Sequence, residues 1–149
     1  MEQAVLACSN FFKEYQLEMD HLNHIHLLVT AWVDNPPMTA ENGNDWLREL
    51  VDIIDMQILM DAQAIYCEDL GNEGVTGIVG LTTSHASFHS WHDAPRPFIN
   101  IDVYSCRAFS TDAVMEHLRK KWGMNEASYL LIDREDGKNE ILAKGRETF

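Results

Sequence analysis

Apolar positions along the chain recur with two distinct periods, and these predict most of the elements. Ile25 to Val33 is rich in Ile, Leu, Val and Trp and reads as a strand that stops at Asp34-Asn35-Pro36-Pro37. Asn44 or Asp45 can cap a helix carrying Trp46, Leu47, Leu50, Val51, Ile54, Ile58 and Leu59 on one face. Ala62 to Glu68 fits a second strand, with a turn over Asp69 to Gly74. Val75 to Leu81 predicts a third strand, and the alternation from His85 to Trp91 predicts a fourth. After Pro95-Arg96-Pro97, Phe98 to Ser105 is the clearest strand of all. Ser110-Thr111-Asp112 then caps a helix that runs to about Trp122, with Gly123 suited to its C-terminus. Tyr129 to Asp133 and Glu140 to Leu142 predict a hairpin around Asp136-Gly137.

Strands that follow one another without a crossover pair antiparallel, and two amphipathic helices cover one face of the resulting sheet. The predicted fold class is therefore α+β, a two-layer sandwich with a mainly antiparallel sheet and its helices on one side. Residues 1–20 carry Val5, Phe11 or Phe12, Tyr15 and Leu17 at roughly helical spacing and read as an N-terminal helical extension. Residues 21–149 are read as the domain proper.

Composition narrows the function classes. A length of 149 residues suits one domain. A net charge of -13 argues against nucleic acid and anionic lipid as partners, which need basic patches. It is compatible with a cationic small molecule. The apolar runs are too interrupted to span a membrane, and Met1-Glu2-Gln3-Ala4 lacks the basic start of a secretory signal, so a cytoplasmic protein is expected. Cys8, Cys67 and Cys106 are odd in number and form no CxxC, which argues against a disulfide framework or a zinc finger. His21, His24, His26, His85, His89 and His92 lack carboxylate or thiol partners at zinc-like spacing, so no metal is expected. Met56, Met60 and Met115 read as core filler.

Candidate chemistry is concentrated between Gly74 and Cys106. Period-two alternation puts His85, Ser87 and His89 on one face of their strand. It lines up Asn100, Asp102 and Tyr104 on the next, with Cys106 continuing that polar row. A serine, two histidines and a cysteine are thus expected to converge on the sheet surface that lacks helices.

Three linked motifs in this window resemble the bacterial and archaeal short form of the S-adenosylmethionine decarboxylases. The family pattern is G-V-S-G, then S-H-x-S-x-H-T-W-P-E, then D-(L/V)-(F/Y)-T-C. The chain has Gly74-Val75-Thr76-Gly77, then Ser84-His85-Ala86-Ser87-Phe88-His89-Ser90-Trp91-His92-Asp93, then Asp102-Val103-Tyr104-Ser105-Cys106. The spacing matches without a gap as far as His89, and a short insertion at Pro95-Arg96-Pro97 precedes the third motif. His26-Leu27-Leu28-Val29 resembles the family's first strand, so the similarity runs from about His24 to the second helix.

The resemblance implies a self-processing enzyme. Ser84 would attack the Thr83 carbonyl, the chain would split between residues 83 and 84, and Ser84 would become a pyruvoyl group. That group would form a Schiff base with the substrate amine and draw off electrons as carbon dioxide leaves. By family position His89 is the processing acid/base, Thr76 the processing hydroxyl and Cys106 the proton donor of decarboxylation. Asp93 falls on the family's ribose-binding glutamate. Leu70 stands where the family has an aromatic against adenine, Thr30 where it often has an acid, and Thr83 where it often has Glu or Lys. Processing and decarboxylation residues are thus better kept than those that recognise the nucleoside.

The implied function is decarboxylation of S-adenosylmethionine for spermidine synthesis, by a homodimer with its sites where two protomers meet. The alternatives are the same chemistry on a free amino acid such as ornithine or arginine, and an unprocessed binding or regulatory relative.

Overall fold

A computed structural model describes residues 24–149, so the helical extension expected over residues 1–20 lies outside the described residues. The strands are β1 (Ile25–Val33), β2 (Ile58–Cys67), β3 (Gly74–Leu81), β4 (Ser84–Trp91), β5 (Phe98–Ser105), β6 (Met124–Asp133) and β7 (Glu140–Thr148). The helices are α1 (Ala40–Ile53) and α2 (Thr111–Trp122), with a short 3-10 turn at Glu135–Gly137. All seven strands form one antiparallel sheet in the order β2-β3-β4-β5-β1-β6-β7. Both helices pack on the same face, which gives the predicted α+β sandwich.

Alternation decides which side chains meet the helices. In β1, Ile25, Leu27, Val29, Ala31 and Val33 are buried, while His26, Leu28, Thr30 and Trp32 lie on the open face. Ala86, Phe88 and Ser90 of β4 and Ile99, Ile101 and Val103 of β5 continue the buried layer. Against them lies an aromatic stack in which the ring centroids of Trp46 and Trp122 are 4.4 Å apart and Phe88 meets Trp46 edge-on at 5.7 Å. Buried His117 sits beside the stack, its Nε2 donating to the Trp46 carbonyl at 3.2 Å.

Several boundaries differ from the predicted ones. The cap of α1 is Thr39, whose hydroxyl accepts from the Asn42 N–H at 3.1 Å, not Asn44 or Asp45. Gly43 and Asn44 are poor helix formers and hid the first turn, yet Gly43 is required there. A Cβ on it would lie 2.8 Å from the ring of Phe88. The helix also ends early, because Asp55 has a φ of 54° and turns the chain out of it. Ile58 and Leu59, expected on the helix, begin β2 instead, where a register shift interrupts the pairing with β3. The predicted β6–β7 hairpin exists around Asp136-Gly137, but both strands are longer. Helix α2 follows the prediction: the Ser110 hydroxyl accepts from Ala113 N–H at 3.1 Å, and Gly123 closes it with a φ of 64°.

Among the described residues no helix is long and apolar enough to cross a membrane.

Candidate functional site

Ser84 opens β4 directly after a two-residue turn. Leu81 pairs with Ser84 across that turn, so Thr82 and Thr83 form its tip, and Ser84 faces Ser105 on β5. Ser84 has a φ of 146°, a region that side chains other than glycine rarely occupy and that costs about 1–3 kcal/mol. The Thr83 carbonyl accepts from the Cys106 backbone N–H at 2.9 Å. The peptide between Thr83 and Ser84 is therefore both strained and polarised. Ser84 also lines a cavity of about 250 Å³ with Met60, Gln63, Ile78, Gly80 and His85. Cys106 is a free, exposed cysteine just past the end of β5. These features fit a serine poised for attack on its own acyl group, with space beside it for a small molecule.

Thr76 and His89 meet at the other end of the β3–β4 pair. They are direct cross-strand partners, and the Thr76 hydroxyl shares a hydrogen bond of 3.1 Å with His89 Nδ1. His89 is exposed on the open face and borders a groove of about 420 Å³ with Thr30, Ser87, Asn100, Asp102 and Ser128. Asp93 follows the same strand end, with its side chain 70% exposed and its Oδ1 3.6 Å from His92 Nδ1. Leu70 is 98% exposed in the β2–β3 turn. Asn72 ties that turn to β4 by accepting from Trp91 Nε1 at 2.8 Å. The Tyr66 hydroxyl and His92 Nε2 share a bond of 2.9 Å at this end, and burial, followed by the charges of Asp93, Glu73 and Glu68, pushes the Tyr66 hydroxyl pKa up.

His85, Ser87 and His89 share the open face as expected, but the residues singled out by the family resemblance fall into two groups at opposite ends of β4. Ser84 and Cys106 share one end of the sheet. Thr76, His89, Asp93 and Leu70 share the other. Ser84 and His89 are five residues apart in an extended strand, about 16 Å.

A third group joins open-face residues lined up by alternation to a neighbour on β1 that alternation alone does not place. On the open face Asp102 Oδ1 lies 2.8 Å from His26 Nε2 and 3.4 Å from His85 Nε2. Arg134 donates to His26 Nδ1 at 3.4 Å, leaving the Nε2 proton for Asp102. The Arg134 guanidinium also covers the Tyr104 ring at 4.6 Å, and the Tyr104 hydroxyl bonds His24 Nδ1 at 3.0 Å. Burial pushes the Asp102 carboxyl up, but the His26 hydrogen bond and the charges of His26 and His85 outweigh it. The pKa ends below the usual carboxylate value. Period two places these residues on the open face, but only the β1–β5 register brings His26 beside Asp102. Thr30, where an acid was the family's habit, donates to Asn100 Oδ1 at 2.8 Å. Among the described residues no group of three or more His, Cys, Asp or Glu is placed to hold a metal ion.

Two comparisons with known proteins bear on this arrangement. Residues 26–135 match the family model of S-adenosylmethionine decarboxylase. No curated protein matches the chain.

Proposed function

Because the chain belongs to the S-adenosylmethionine decarboxylase family, we propose that it cuts its own Thr83–Ser84 bond and then decarboxylates S-adenosylmethionine in polyamine synthesis. The observation that carries this reading is the strained turn at Ser84, with the Thr83 carbonyl already held by the Cys106 N–H at 2.9 Å.

The chain's own groups suit the cleavage. When Ser84 Oγ bonds to the Thr83 carbonyl carbon, negative charge gathers on the carbonyl oxygen. A backbone N–H already aimed at that oxygen stabilises it without reorganisation. Transfer of the acyl group from nitrogen to Oγ turns the amide into an ester and lets the Ser84 φ relax. Loss of the Cα proton of Ser84 then expels the Thr83 carboxylate, ending a fragment of residues 1–83. Water attacks the dehydroalanine left on residue 84 and releases ammonia, which leaves a pyruvoyl group. Bound there, that group supplies an electron sink for decarboxylation. The Cys106 thiol, on the residue whose N–H holds the Thr83 carbonyl, would deliver a proton to the product carbon.

The hydroxyl proton of Ser84 needs an acceptor, and His89 with Thr76 forms the family's pair for that task. At about 16 Å along the strand, His89 does not reach Ser84 of its own chain. Among the described residues the open face carries no helix, and it exposes Ile65 (73%) and Ile78 (52%). A second copy laid face to face in reversed direction would bring its Thr76–His89 pair to Ser84 and cover these residues. The functional unit on this reading is a homodimer with two equivalent sites.

One observation favours a second reading of the substrate. The residues at the nucleoside-contact positions are poorly formed, with Leu70 98% exposed and the Asp93 side chain 70% exposed. A free amino acid such as ornithine or arginine would need neither.

Intact mass of the incubated protein tests the cleavage. The expected result is two fragments, 1–83 and 84–149, the second lighter by one ammonia. A chain that stays whole under active conditions overturns the proposal. Carbon dioxide release from S-adenosylmethionine, ornithine and arginine, measured side by side on the cleaved protein, decides the substrate.

A further inference from the structure

The turn that carries Thr83 is gripped from two sides. After α1 the chain reverses through Asp55, and Met56 returns beneath the β3–β4 turn, its N–H donating to the Val51 carbonyl at 3.0 Å. Met56 is buried, at 8% exposure. Its sulfur accepts from the Thr83 hydroxyl at 3.1 Å and from the Ser105 hydroxyl at 3.8 Å. Ser105 is the residue directly opposite Ser84 on β5. The next residue, Gln57, accepts the Thr82 N–H on its carbonyl at 3.0 Å. From the other side Cys106 holds the Thr83 carbonyl. The two gripping loops are themselves joined, Arg107 donating to Asp55 Oδ2 at 3.1 Å.

We propose that Met56 is a positioning residue for the Thr83–Ser84 break, a role that rests on Ser84 being the cleavage site. Attack by a hydroxyl on the carbonyl next to it demands one orientation of the scissile peptide. Thr83 is fixed at its carbonyl by the β5–α2 loop and at its side chain by the loop after α1. Two anchors on one residue leave the peptide plane little freedom to turn away from Ser84 Oγ. A thioether is a weak acceptor, but it is also a good core filler, so one residue both fills the space and holds the hydroxyl. Leucine has nearly the same volume and cannot accept a hydrogen bond, which separates the two roles.

The test follows fragment formation in the full-length chain by intact mass over time, for wild type, Met56→Leu, Thr83→Val, the double variant and Thr83→Ser. Thermal midpoints are measured on the same samples. Met56→Leu and Thr83→Val should each slow cleavage about threefold to tenfold, the range of one hydrogen bond. The double variant should be no slower than the slower single one, Thr83→Ser should keep the wild-type rate, and the Met56→Leu midpoint should match wild type. Wild-type speed in Met56→Leu beside a cleaving wild type overturns the inference alone, as does a double variant slowed by the product of the two single effects. A wild-type chain that never cleaves overturns the Ser84 assignment and the inference with it.

Discussion

The two ends of β4 come from one continuous motif, yet they are built on different physics. At the Ser84 end the groups that matter belong to the backbone: a positive φ, a carbonyl and the Cys106 N–H that holds it. At the His89 end they are side chains on an exposed face, a hydroxyl and an imidazole 3.1 Å apart. The first end is strained and closed by two loops, and the second is relaxed and open. A bond can be set under strain by its own chain, whereas a proton carrier must only be accessible to whatever it serves. Motif spacing along a strand therefore need not mean contact within one molecule.

Removing the proposed nucleophile has the largest expected effect. Ser84→Ala should abolish fragment formation completely, leaving one full-length mass. Next come the two histidines of the same strand. His89→Ala should slow cleavage by about 10²–10⁴, the usual worth of a positioned acid/base. His85→Gln should cleave near the wild-type rate, although His85 borders the same cavity as Ser84. The reverse ranking, read from fragment accumulation, would move the whole reaction to the Ser84 end.

Cys106 sharpens the division between backbone and side chain. Cys106→Ala keeps the N–H that holds the Thr83 carbonyl, so cleavage should persist. Turnover per cleaved chain should fall about 10²-fold, measured as carbon dioxide release. If the variant fails to cleave, the thiol acts in processing as well.

The smallest effect concerns the open face between the two ends. The Asp102 carboxyl titrates below its ordinary value in the fold, so the unfolded chain binds the proton first as pH falls. The stabilisation is complete above the ordinary carboxylate pKa of about 3.9 and is lost as pH drops through the lower folded value. Asp102→Asn should flatten that acid limb in a pH series of thermal midpoints and leave the limb above it in place.

What was legible in the sequence follows from which patterns are local. β1 and β5 match their predicted limits because each alternates cleanly and ends at a breaker or a helix cap. Helix α2 was legible from Ser110 and Gly123 for the same reason. The first turn of α1 was hidden because Gly43 answers to Phe88, a residue distant in sequence. Ile58 and Leu59 kept a helical spacing but lie on a bulged edge strand with Leu59 exposed, where apolar periodicity carries no core signal. β7 was cut short because Lys144, Arg146 and Glu147 decorate a solvated edge. At the candidate site, residues could be nominated from the sequence, but their partition between the two ends of β4 could not be read there. The extended rise of β4 separates Ser84 from His89, whereas strand register, a non-local property, joins His26 to Asp102 and His85.

Co-expression of Ser84→Ala with His89→Ala tests most directly the claim that the two ends meet across two copies. Neither variant alone can assemble a complete site. A mixed dimer pairs Ser84 of one chain with His89 of the other. Intact mass of the mixture should show fragments 1–83 and 84–149 derived from the His89→Ala chain, at a rate well above that chain alone. A mixture that cleaves no faster than His89→Ala alone, beside a wild type that cleaves, would contradict the account.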